Sequence, residues 1–409
     1  MRATAERWDH AFFALMIACT PVAAAPDDAA PTDAGTDVGA DAWIDPCEGV
    51  TVARVETVAM LSRGRYASAV ERLPDGRVLI AGGFDFARGM TASAELYDPI
   101  TRTLRPTGDM NVGRNFAATT SSSRGVIVAG GFDNVSGSVV TIERYDVASG
   151  TFLLANVGML FGREAHTATL LPEGRVLYAG GLQARGLHFL SSMELYDPAA
   201  DAIAPSTAAL NPPRGFHAAA WIESRHSVLL VGGDSGHGEL ATAVRWDPIT
   251  DSIVPLTSMR AHAGKAVAAA LLPSGHVIVA GGANATDGTL ADVDDYDPST
   301  DAITPSSPMR TRRMAHTLTA LGDGRLVAIG GWSDSEMAPG GGAAATPSIE
   351  VRGTSGTWTR LPSSLAVSRL DHRAIAIDAC HVVVIGGQHA ATGAMPSAPL
   401  EVELVTIPR

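Results

Sequence analysis

Short aliphatic runs closed by glycine pairs recur along the whole chain. Seven runs, RVLIAGG, GVIVAGG, RVLYAGG, SVLLVGG, HVIVAGG, RLVAIGG and HVVVIGG, place the first glycine of each pair at Gly82, Gly130, Gly180, Gly232, Gly281, Gly330 and Gly386. Apolar runs this short, rich in Val and Ile and bounded by turn residues, predict buried strands. Turn chemistry precedes them in LPDGR at Leu73, LPEGR at Leu171, LPSGH at Leu272 and LGDGR at Leu321, where glycine suits a positive φ, so a preceding strand and its hairpin are specified too. Beyond each pair a variable stretch leads to a third strand ending in Tyr-Asp-Pro or a variant: ELYDP at Glu95, ERYD at Glu143, ELYDP at Glu194, VRWDP at Val244, DDYDP at Asp294. Pro lacks the ladder donor and Asp caps the turn, which ends the strand. A fourth strand follows around Leu104, Phe152, Ile203, Ile253, Ile303 and Trp358.

Each copy opens with R-x-x-H, complete as Arg163/His166, Arg214/His217, Arg313/His316 and Arg369/His372 and reduced to the arginine at Arg65 and Arg114. The fifth copy departs, with Gly264 and Val267 at those positions and His262 and Lys265 alongside. Successive glycine pairs lie 48, 50, 52, 49, 49 and 56 residues apart. A period near 50 with a Gly-Gly pair, a Tyr about 14 residues on and a large apolar residue after it resembles the kelch family, whose repeats build propellers. The resemblance covers about residues 50 to 409 and departs from the family at its Trp position, which only Trp358 supplies. It implies an all-β fold, a seven-bladed β-propeller of four-stranded antiparallel blades spanning 49–409.

Ring closure tests that reading. The seventh copy ends at Arg409 just after its third strand, while Val50 to Met60 precedes Arg65 as a fourth strand precedes every other copy. The N-terminal strand is therefore expected to complete the last blade. Cys47 precedes that strand and Cys380 precedes the Gly-Gly strand of the same blade, and the two strands run parallel, two ladder positions or about 9.6 Å apart. A disulfide needs Cα atoms within about 7 Å, which the loop residue Cys47 reaches by bending inward. A Cys47–Cys380 bridge is expected in an oxidising compartment, with two unpaired buried thiols as the alternative.

Ahead of the repeats, Arg2 and Arg7 precede the apolar run Ala11 to Ala18, then Cys19 and the small residues Val22 to Ala25. Residues 1–25 read as an export signal, since eight apolar residues are too few to span a bilayer. Cleavage after Ala25 and lipidation of Cys19 both remain open, the second because LMIAC resembles a bacterial lipoprotein box. Residues 26–48 carry six Asp and one Glu with no Lys or Arg and read as a disordered acidic linker. The expected location is periplasmic, outer-membrane-attached or extracellular.

Composition narrows function mainly by exclusion. A net charge of -13 argues against nucleic acid as partner. The repeat arginines Arg65, Arg114, Arg163, Arg214, Arg313 and Arg369 should form a ring on one face, and repetition favours a structural role. Kelch resemblance implies a second one, in which such arginines face the central opening and hold acidic ligands through bidentate guanidinium bonds. The four histidines lie on separate copies and are expected to fill blade interfaces, and no cluster has metal-ligand spacing. Loops after the glycine pairs vary between copies and carry Phe84, Asp85, Phe86, Arg88, Phe132, Asp133, Asn134, Arg185, His188, Phe189, Asp234, His237, Glu239, Trp332, Asp334, Glu336, Gln388 and His389. Of these Phe84, Arg185, His237 and Trp332 are the candidate ligand contacts, beside the arginines. Two functions follow: a noncatalytic monomeric module binding a protein, peptide or glycan without cofactor or metal, or a carbohydrate-active enzyme such as a sialic acid mutarotase, using Arg185 with Glu239 or Asp234. The copper radical oxidases of the family are disfavoured because they need a Cys-linked Tyr. No G-x-S-x-G elbow, phosphate-binding Gly loop or sialidase box occurs.

Overall fold

The computed structural model describes residues 47–409 except 123, 184–187, 260–265, 338–342 and 391–394. Cys19, the export signal, Arg185, the irregular residues around Gly264 and the glycine-rich part of the blade-six loop lie outside the described residues. Seven four-stranded antiparallel sheets form a ring. Blade one runs from its inner strand Ala69–Arg72 through Val78–Ala81 and Ala94–Asp98 to the outer strand Thr103–Pro106. Glu223–Arg225 is a single 3-10 turn among the described residues.

The second strand of each blade is apolar without interruption because both its faces are covered. In blade one Leu79 and Ala81 pack with Val126 and Val128 of blade two. Val78 and Ile80, on the other face, pack with Val383 and Ile385 of blade seven. Strand alternation thus divides one run between two neighbours, and blade seven meets blade one as the others meet each other. The ring is closed as the chain ends required: Arg54–Met60 pairs antiparallel with Glu401–Thr406, which pairs with His381–Ile385. Cys47 and Cys380 are bonded across that blade with Cα atoms 5.7 Å apart.

The glycine pairs stitch blade to blade. The N–H of Gly331 donates to the Arg369 carbonyl at 2.8 Å, Gly83 to Arg114 likewise, and Gly387 to Arg65 at 2.9 Å across the closure. A Cβ on Gly330 would stand 2.6 Å from the Arg369 carbonyl and 2.7 Å from the His372 ring, and φ is +61° there, so only glycine fits. The expected variable loops are small hairpins on one face of the ring, such as Phe84–Asp85 with Gly89–Met90 and Phe132–Asp133 with Gly137–Ser138. Each is tied to the residue after its blade's repeat arginine position, as in the bridges Tyr66 to Phe84, Asn115 to Phe132 and Glu164 to Leu182. The Tyr-Asp-Pro turns lie on the opposite face, where Asp98, Asp197 and Asp247 accept backbone N–H groups two and three residues on.

Candidate functional site

The arginine ring forms where the repeat put it but faces into the blades. All six guanidinium groups are buried, at most 1% exposed. Arg65 donates to the Gly82 and Ser93 carbonyls of its own blade, at 2.9 and 2.7 Å, and to Glu95. Glu95, Glu143, Glu194, Glu350 and Glu403, at the same place in the third strand, are the charge partners of Arg65, Arg114, Arg163, Arg313 and Arg369. The same carboxylates cap the approach to each arginine, as where Glu143 accepts from the Asn111 and Val112 amides and Glu350 from those of Arg310 and Thr311. Arg214 faces Val244 instead and keeps only Gly232 and Thr242, and burial takes its pKa down to about 10. The anion-reading mouth that kelch resemblance implied is therefore corrected: no guanidinium of the ring is offered to a ligand, because each is spent on its own blade.

The histidines are interface residues. His217 meets the Thr167 hydroxyl of the preceding blade at 3.0 Å, and His372 meets Thr317 at 3.1 Å. His166 and His316 face blades with Ala118 and Ala268 at that position, and neither ring has a hydrogen-bond partner. Burial drives all four pKa values down, so the rings stay neutral.

What differs from blade to blade converges at the axis on the hairpin face. The second residue after the repeat arginine is left-handed in every blade: Ala67, Phe116, Ala165, Phe216, Ala266, Ala315 and Asp371, with φ between +50° and +56°. These residues form a belt of amide bonds between blades, Phe116 donating to Ala67, Ala165 to Phe116, Phe216 to Ala165, Ala315 to Ala266 and Asp371 to Ala315. The belt sets the preceding residues, Tyr66, Asn115, Glu164, Gly215, Met314 and Leu370, side by side around the opening. Tyr66 is buried, stacks on Phe86 at 5.3 Å and meets Phe84 and Phe116 edge-on. Burial together with the Asp371 and Glu164 charges pushes its pKa above the usual tyrosine range. Glu164 is 5% exposed, its Oε2 has no hydrogen-bond partner, and burial alone raises its pKa to about 7.

Among the sequence candidates, Phe84 joins the Tyr66 cluster and Trp332 packs half-buried beside Leu370 and Met314. His237 is exposed at a hairpin tip. Loop carboxylates expected to meet ligand are spent on turns: Asp85 caps Ala87, Asp133 caps Val135 and Ser136, and Asp234 caps Gly236. Deeper along the axis the inner strands enclose a cavity of about 460 Å³ with Glu71, Arg72, Thr119, Thr169, Thr319 and Arg373 in its wall. There Glu71 accepts from Thr119 at 2.8 Å.

An unpartnered buried carboxyl makes stability depend on pH. With its pKa raised from 4.5 to about 7, native Glu164 holds a proton that the unfolded chain has already lost between those values, so stability falls as pH rises through that window. At pH 8 the penalty is about 3 kcal/mol. Glu164→Gln is expected to unfold at higher urea than the parent at pH 8 and at nearly the same urea at pH 4. An equal difference at both pH values would refute an ionising Glu164.

No family model matches the chain, and no curated protein does. Among solved structures 1025 chains are similar, so the fold by itself selects no activity. The structure of YjhT superposes with a TM-score of 0.55 at 13% identity, over 74% of this chain and 98% of that one. A fungal alcohol oxidase of the AA5 family, in complex with copper, superposes with a TM-score of 0.69 at 15% identity, over 88% of this chain and 77% of that one. Together with the seven repeats this describes a kelch-like β-propeller. Among the described residues a single group of His, Cys or carboxylate ligands lies within reach of one ion, Cys47, Asp378 and Cys380, and its sulfurs are joined to each other.

Proposed function

We propose that this propeller is a noncatalytic binding module, exported to an oxidising compartment, that takes its ligand at the axial mouth of the hairpin face. The observation that carries the reading is the division of labour in the repeat. Residues that recur are consumed inside the blades, and those that differ, from Tyr66 to Leu370 with the hairpin aromatics above them, meet at one opening. The Cys47–Cys380 bridge fits an exported protein, since disulfides persist where thiols are not kept reduced. A thermal-shift screen of sugars and peptides tests it. A ligand at a hundred times its Kd adds about 2.7 kcal/mol. That gain should vanish in Trp332→Ala and persist in Ile249→Ala, whose side chain is exposed on the opposite face. Loss in Ile249→Ala with retention in Trp332→Ala would place binding elsewhere.

A carbohydrate-active enzyme is the second reading, and Glu164 is what favours it. A buried carboxyl with a pKa of about 7 can both give and take a proton near neutrality, as opening and closing a sugar ring requires. Faster mutarotation of sialic acid with the parent than with Glu164→Gln would select this reading, and equal rates would remove it for that sugar.

A further inference from the structure

We infer that the axial mouth reads an organic cation, an ammonium or guanidinium group carried on an apolar body, with Glu164 as its charge partner. The inference rests on the binding reading and names its ligand class. Nearly every other buried glutamate of the propeller has protein donors: Glu143, Glu194 and Glu350 each hold an arginine and two amides, and Glu71 holds two hydroxyls. Glu164 has its backbone bonded to Leu182 on both sides, which fixes where its side chain starts, and nothing bonded to Oε2. A fixed, buried acceptor of this kind is costly to the native chain unless something supplies a donor and a charge.

The surroundings choose between ligand charges. On the next blade the Asn115 Oδ1 is likewise buried with no donor. The Tyr66 hydroxyl feels the charges of both Glu164 and Asp371, the latter from blade seven. One sector of the mouth is therefore built of acceptors and carboxylates around an aromatic ring. Among the described residues the rest of the mouth is apolar, with Phe216, Met314, Leu370 and the half-buried Phe189 and Trp332 in one cluster that reaches back to Leu182 beside Glu164. An anion would meet two carboxylates, and a neutral hydroxyl would satisfy the acceptors while leaving the Glu164 charge buried. A cation answers both, and the aromatic wall accommodates its hydrocarbon part.

Isosteric probes of opposite charge test this on the full chain. Benzylamine and benzamidine, cationic at pH 8, are expected to bind by titration calorimetry at least about tenfold more tightly than benzyl alcohol or benzoate. Glu164→Gln keeps size and hydrogen bonding but not charge, and is expected to lose about tenfold or more in cation affinity, so that the parent's preference for benzylamine over benzyl alcohol disappears. Glu164→Asp, which restores the charge, should recover part of that preference, and this arm separates loss of charge from loss of fold. Benzoate binding as tightly as benzylamine overturns the inference, as does cation affinity unchanged in Glu164→Gln. No cation binding below about 10 mM overturns it too. If the cations fail while another ligand still shifts stability in a Trp332-dependent way, the binding face stands and only its ligand class is wrong.

Discussion

Replacing Glu194 by Ala is expected to destabilise the propeller by about 3 to 5 kcal/mol. Arg163 and Glu194 are fully buried and bonded to each other. Burial lowers the Arg163 pKa while Glu194 pushes it back up, so the carboxylate is what keeps that buried charge tolerable. Glu194 also accepts the Leu160 amide at 2.7 Å and the Phe161 amide at 3.3 Å. Truncation therefore strands one charge and two N–H groups at once. The chain contains its own comparison in blade four, where Val244 stands in the glutamate's place. There the segment entering Arg214 reads Asn211-Pro212-Pro213, and Pro212, in the place of Phe161, has no N–H to strand. Urea unfolding of Glu194→Ala, Arg163→Met and the double variant measures the pair, and the double should cost less than Glu194→Ala alone, because no charge is left behind. A Glu194→Ala midpoint within experimental error of the parent would show that the ring is not held by these pairs.

The arginine ring also shows how far the sequence could be read. Blade count, strand order and the closing strand follow from spacing, because each repeats or fills one empty position, and the same closure makes the Cys47–Cys380 bridge the expected pairing, with free thiols as its alternative. Direction did not follow. An R-x-x-H box gives the arginine a place in the ring, but whether it points to solvent or into the blade depends on a glutamate about 30 residues on, in a strand two ladder positions away. The signal was present: Glu95, Glu143, Glu194, Glu350 and Glu403 accompany arginines, and the copy with Gly264 carries Asp294 there. Glu164 had no such signal. Its position holds Tyr, Asn, Glu, Gly, Lys, Met and Leu in the seven copies, so periodicity passes over it. The belt that brings these residues together depends on left-handed alanines, phenylalanines and an aspartate, and of these only the aspartate is of a type enriched in that conformation.

Removing the disulfide is expected to cost about 4 to 5 kcal/mol, near the top of the range for such bonds, because of what it spans. Cys47 and Cys380 are 333 residues apart in sequence, so the bond constrains almost the whole unfolded chain. Its position matters as much as its length. Arg54–Met60 is an outer strand paired on one side only, with a bulge between Thr57 and Ala59 and no fully buried residue. Just before it, the Ser363 hydroxyl holds the Ala53 carbonyl at 2.7 Å. Few apolar contacts secure this strand, yet blade seven has no other fourth strand and the ring no other closure. Without the bond the strand can peel from Glu401–Thr406, expose blade seven and open its contact with blade one. Cys47→Ser, Cys380→Ser and the double variant should therefore unfold at the same lowered urea concentration, since either change breaks the one bond. Limited proteolysis of these variants should cut first between residues 50 and 64, where the parent resists. Both sulfurs are buried, so serine variants are a cleaner probe than reductant. Variants as stable as the parent, or a first cut in another blade, would mean that pairing with Glu401–Thr406 is by itself enough to latch the ring.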